Sequence, residues 1–129
     1  MKVLIACEYS GIVRDAFIAK GHDAISCDLL PTESPGPHYQ GDIFDIIDES
    51  FDLMIAFPPC TYLTYAGNAW FNVEKYGQKA IERHEKRLLA LDFFMKLFNS
   101  PIKKIAIENP VGYANTKFRK PDQVIQPYF

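Results

Sequence analysis

The residue best suited to covalent chemistry in this 129-residue chain is a cysteine directly behind two prolines. Phe57-Pro58-Pro59-Cys60 follows the apolar run Asp52 to Ala56 (DLMIA). Each proline fixes φ and removes an amide donor, so the thiol is held on a stiff turn at a strand end. As a thiolate it is a nucleophile; as a thiol it is a small apolar group suited to burial. The residue types leave both readings open. Glu108 closes the run Ile102 to Ile107 (IKKIAI), with Pro110 two residues on. A half-buried carboxyl there is expected to have a raised pKa and to share a proton with a base ring. The plainer alternative is a strand-end acid or a cap.

Two further acids occupy similar places. Asp28 closes the short run Ala24 to Cys27, where an acid commonly takes a ribose hydroxyl pair, or simply opens a turn. Asp42 follows Gly41 and is suited either to accept from an adenine amino group or to cap the segment Ile43 to Ile47. Glu8-Tyr9-Ser10-Gly11 carries a single glycine and no G-x-G-x-x-G fingerprint. Such a turn suits a cofactor that brings no phosphates to the helix behind it. The aromatic segment Thr61 to Tyr76, read as a loop, could stack on bases or pack on the sheet edge. His22, His38 and His84 have no ligand spacing, so no metal site is expected.

The elements that must position these residues alternate. Val3 to Cys7 reads as a strand buried on both faces, Ile12 to Lys20 as a helix stopped by Gly21, and Ala24 to Cys27 as a second strand. Pro31 to Pro37 (PTESPGP) is a loop. Phe44 to Ile47 is ambiguous between helix and strand, and Asp52 to Ala56 is a strand. A helix is expected from about Lys79 to Asn99, with Ala80, Ile81, His84, Leu88, Leu91, Met95 and Phe98 on its buried stripe. Ile102 to Ile107 is a further strand. This order predicts an α/β fold with a doubly wound, mostly parallel sheet. It also predicts that Glu8 to Gly11, Pro58 to Cys60, and Glu108-Asn109 lie past strand carboxyl ends, the edge where such sheets bind ligands.

Composition bounds the function. Apolar residues are 48% of the chain and charged residues 23%, which excludes a disordered chain. A net charge of −2 excludes a polybasic nucleic-acid wrapper. No apolar run approaches the roughly 18 residues of a membrane span, so no membrane partner is expected. The three cysteines are odd in number and lack metal spacing, which points to free thiols and a cytoplasmic location. No internal linker divides the chain, so 1–129 reads as one catalytic domain.

Together these residues resemble the catalytic half of DNA cytosine-5 methyltransferases, particularly the short phage and prophage type. Asp52 to Cys60 is similar to the family's strand followed by Pro-Pro-Cys. Glu108-Asn109-Pro110 is similar to its Glu-Asn-Val segment, and Tyr9-Ser10-Gly11 to its Phe-x-Gly. The resemblance runs from residue 3 to about 110. It implies a Rossmann-like core that binds S-adenosyl-L-methionine through Tyr9, Ser10, Gly11, Asp28, Asp42 and Pro58. It implies DNA as substrate, a flipped cytosine beside Pro59 and Asn109, attack by Cys60 on C6, and Glu108 on N3 and the exocyclic amine. Phe57 has no acceptor for a target amine, which favours the ring carbon over amino methylation. Val13 stands where the family has a second glycine. No target-recognition domain and no closing strands are visible at the C-terminus. The domain is therefore expected to be incomplete, or its sheet edge completed by a homodimer or a partner chain. The alternative reading is a catalytically inactive relative that binds a nucleotide cofactor or a protein partner.

Overall fold

The computed structural model describes residues 1–59, 73–108 and 122–123. The chain divides into two compact units: Met1–Pro59 with Lys96–Glu108, and Cys60–Met95 with Asn109–Phe129.

The first unit is a five-stranded sheet. β1 (Lys2–Ala6), β2 (Asp23–Asp28), β3 (His38–Gln40), β4 (Leu53–Ala56) and β5 (Lys104–Ile107) are all parallel, in the spatial order β3-β2-β1-β4-β5. The α/β expectation is met, and the order reverses direction between β1 and β4, the topological switch point of such sheets. β1 is central, and Val3 to Ala6 are all fully buried. Side chains alternate between faces. Val3 and Ile5 share one face with Ala24, against which Val13, Phe17, Leu53, Ile55 and Phe57 pack.

Val13 and Phe17 come from α1 (Ile12–Ala19), which lies against β1 and β2. α1 ends where Gly21 permits it. The Gly21 amide donates to Ile18 (2.9 Å) and the His22 amide to Phe17 (3.1 Å), with Gly21 at φ +87°. This is a Schellman closure, and the Phe17 and His22 rings meet edge-on at 5.8 Å across it.

The Pro31–Pro37 loop leads into β3, which sequence patterning does not reveal. The ambiguous Phe44–Ile47 segment contributes to a short 3-10 turn, Ile43–Asp45. In the second unit the expected loop through Tyr76 is corrected at its end. Val73–Tyr76 forms α2, and α3 (Gln78–Phe98) follows Gly77. The stripe expected on α3 is also corrected. Ala80, Arg87, Phe94 and Leu97 are buried, whereas Ile81, Leu88, Met95 and Phe98 are exposed. Among the described residues no helix is long and apolar enough to cross a membrane.

Candidate functional site

Because all five strands run the same way, the segments that follow them share one edge. Backbone hydrogen bonds continue the ladder one or two residues past the strands and set these segments side by side. The Glu8 amide donates to Cys27 (3.1 Å), Gly41 to Asp28 (2.9 Å), Phe57 to Ala6 (3.0 Å) and Glu108 to Ala56 (3.0 Å). From the β3 side the edge therefore reads Asp42, Asp28, the Cys7–Gly11 turn, Phe57–Pro59, Glu108. With strands about 4.8 Å apart, the ends of β2 and β5 are separated by about 14 Å.

The turn after β1 is the most tightly built part. Cys7 takes a left-handed conformation (φ 60°), unusual for a residue with a Cβ, and redirects the chain so that Glu8 points back beneath the helix. The Glu8 side chain is buried. Its Oε2 accepts from the Val13 amide (2.9 Å) and its Oε1 from the Arg14 amide (3.2 Å). Ser10 Oγ accepts from the Ile12 amide (3.3 Å), and Gly11, the N-cap, sits at φ +81°. The first three amides of α1 are thus occupied by the chain's own oxygens. In a dinucleotide-binding fold those donors face a pyrophosphate; here a carboxylate already holds them.

The two acids beyond this turn each use one oxygen structurally. Asp28 Oδ1 accepts from the Leu30 amide (2.9 Å), and Asp42 Oδ1 accepts from the Phe44 amide (3.0 Å), capping the 3-10 turn. The turn and cap alternatives for these residues are both realised. The acids also shape the local field. Burial, reinforced by the negative charges of Asp28 and Asp42, pushes the Cys7 thiol up to about 12. The same causes push the Cys27 thiol up to about 12, with Asp45 adding to them. Thiols so raised stay protonated near neutral pH, and Asp28, Asp42 and Asp45 place carboxylates on the β1–β3 side of the edge.

On the other side of the switch point, the Phe57 ring packs on the Val3–Ile5–Ala24 cluster. Pro58 is buried, and Pro59 is exposed. Glu108 is exposed, which corrects the expectation of a half-buried carboxyl; among the described residues β5 is an outer strand of the sheet. Cys60, Asn109 and the aromatic residues Tyr62, Tyr65, Trp70 and Phe71 lie outside the described residues. Among the described residues no group of three or more His, Cys, Asp or Glu side chains could hold a metal.

No family model, no curated protein and no solved structure matches the chain.

Sequence patterning missed two residues that organise this edge, Glu8 as a cap and Arg14. Arg14 lies in the first turn of α1, where a cation opposes the helix dipole, yet its side chain is fully buried. That unfavourable placement is the signal that could have drawn notice to it.

Proposed function

We propose that the chain is an S-adenosyl-L-methionine-dependent DNA cytosine-5 methyltransferase with a Rossmann-like core, using Cys60 as nucleophile and Glu108 as its carboxyl partner. The observation that carries this reading is the order of segments along one sheet edge. Acids suited to a nucleoside lie on the β1–β3 side, and Phe57–Pro59, which lead in sequence to Cys60, and Glu108 follow β4 and β5 across the switch point.

The chemistry of the donor set fits this cofactor better than a phosphate-bearing one. Glu8 occupies the amides of α1, and the negative field from Asp28 and Asp42 favours a cation. In this reading Asp28 takes the ribose hydroxyls, Asp42 the adenine amine, and Tyr9-Ser10-Gly11 with Pro58 the remainder. Bound there, the cofactor supplies an electrophilic methyl group on a cationic sulfur.

The chain's own residues do the rest. A cytosine leaves the base stack and rests against Pro59 and Asn109. The Cys60 thiolate adds to C6, which raises electron density at C5. Glu108 hydrogen-bonds N3 and the exocyclic amine, stabilising the negative charge that the addition places on the ring. C5, so activated, would take the methyl group that the cofactor supplies when bound. C5 then loses its proton to a base, the C6–S bond breaks, and Cys60 leaves as thiolate.

Calorimetric titration with S-adenosylhomocysteine tests the cofactor half of the proposal. One-to-one binding is expected; absence of binding would remove it.

A further inference from the structure

Resting on that reading, we propose that Arg14 is a positioning residue for the nucleoside end of the cofactor. Its guanidinium fixes the Leu29–Pro37 loop that links Asp28 to β3 and braces the turn after β1.

The side chain is a buried hub. Nε donates to Asp15 Oδ1 (2.9 Å), Nη2 to the Ser34 carbonyl (2.7 Å), and Nη1 to Ser26 Oγ (3.0 Å), Thr32 Oγ1 (3.0 Å) and the Pro37 carbonyl (3.4 Å). Thr32, Ser34 and Pro37 belong to the loop, while Ser26 and Asp15 belong to β2 and α1. One planar fork therefore joins helix, sheet and loop, a geometry that an ammonium cannot reproduce. Ser34 Oγ adds a second tie to Asp15 Oδ2 (2.7 Å).

The fit is close. A Cβ on Gly36 would stand 2.8 Å from Nη2, and one on Gly11 2.6 Å from it. The guanidinium thus lies against a glycine of the loop and the glycine of the candidate cofactor turn. The clamp also reaches that turn through the backbone, because the Glu33 amide donates to the Tyr9 carbonyl (2.8 Å). At the other end, the loop begins beside Asp28, whose carboxylate holds the Leu30 amide (2.9 Å). A shift of the guanidinium would therefore reach the Tyr9–Gly11 turn, against which it lies, and Asp28, which it does not touch.

Gly36→Ala is the most direct test, because it crowds the guanidinium while keeping its charge. Arg14→Lys serves as the second variant, keeping charge and losing the fork. Binding of S-adenosylhomocysteine is followed by calorimetry, and amide exchange by mass spectrometry. In Gly36→Ala the Leu29–Pro37 amides are expected to exchange faster while those of Val3–Ala6 stay protected. Affinity should fall by about tenfold or more, and bound ligand should restore protection to the loop, the reciprocal signature of coupled sites. Arg14→Lys should show the same pattern. If the wild type binds and Gly36→Ala binds equally well with its loop amides released, the inference fails and the cofactor reading stands. Unchanged loop protection in both variants would also overturn it. A wild type that binds no S-adenosylhomocysteine defeats the cofactor reading itself.

Discussion

The Glu8 carboxylate receives the Val13 amide at 2.9 Å, filling the site at the head of α1 where nucleotide-binding sheets take phosphate. Adenosine monophosphate should therefore bind no more tightly than adenosine in calorimetry. Glu8→Gln retains a single acceptor oxygen for the two amides that Glu8 now serves. It should cost about 1–3 kcal/mol in chemical denaturation, the usual penalty for a buried donor left unpaired. A monophosphate preference in the wild type would show that the carboxylate does not close the site.

Asp42 combines a cap with a candidate ligand contact, and the two roles separate by side-chain length. Serine still caps a helical turn but lacks the reach of aspartate. Asp42→Ser should keep the melting temperature nearly unchanged, whereas Asp42→Ala should lose about 0.5–2 kcal/mol through the cap. Both should weaken S-adenosylhomocysteine by about 1–2 kcal/mol, the value of one hydrogen bond. Full affinity in the serine variant would leave Asp42 as a cap alone.

Asp15 makes the Arg14 clamp sensitive to acid. Its hydrogen bonds from Arg14 and Ser34 hold its carboxyl below the ordinary value of 3.8. A depressed folded-state pKa stabilises the fold above the unfolded pKa, and that contribution is lost as pH falls through the folded one. Protection of the Leu29–Pro37 amides should therefore be constant above about pH 5 and decline below about pH 4. In Asp15→Asn that part of the decline should disappear. A midpoint near neutral pH would contradict the assignment.

Thiol reactivity distinguishes the three cysteines. Cys7 and Cys27 are pushed up to about 12 and should resist iodoacetamide at pH 8. The nucleophile assigned to Cys60 predicts that the first label lands there, as peptide mass spectrometry would read. Labelling of Cys7 or Cys27 at a comparable rate would remove that distinction.

Much of this edge is legible in the chain because strands with both faces covered leave continuous apolar runs, as the fully buried Val3 to Ala6 and the largely buried Leu53 to Ala56 do. β3 is not legible, since His38-Tyr39-Gln40 has no such run. It becomes a strand by pairing with Ser26 to Asp28, a tertiary effect. On α3 the apolar spacing gives the helical period but the wrong phase. Ala80, on the expected stripe, is buried, but Ile81, Leu88 and Met95 are exposed and the buried face continues through Arg87 and Phe94; a count of apolar residues passes over a buried arginine. Glu108 shows the opposite error. A strand-end acid reads as shielded, but β5 is an outer strand among the described residues and Glu108 is exposed. Glu8 and Arg14 were passed over because capping and buried ion hubs depend on chain reversals that periodicity does not encode.

The most direct test of the central claim is covalent trapping on DNA carrying 5-fluorocytosine in the presence of S-adenosyl-L-methionine. Fluorine at C5 blocks the final elimination, so a nucleophile attached at C6 stays attached. The account predicts a denaturation-resistant protein–DNA adduct that maps to Cys60, is lost in Cys60→Ser and forms more slowly in Glu108→Gln. A chain that binds S-adenosylhomocysteine yet forms no adduct, or an adduct that survives Cys60→Ser, would contradict it.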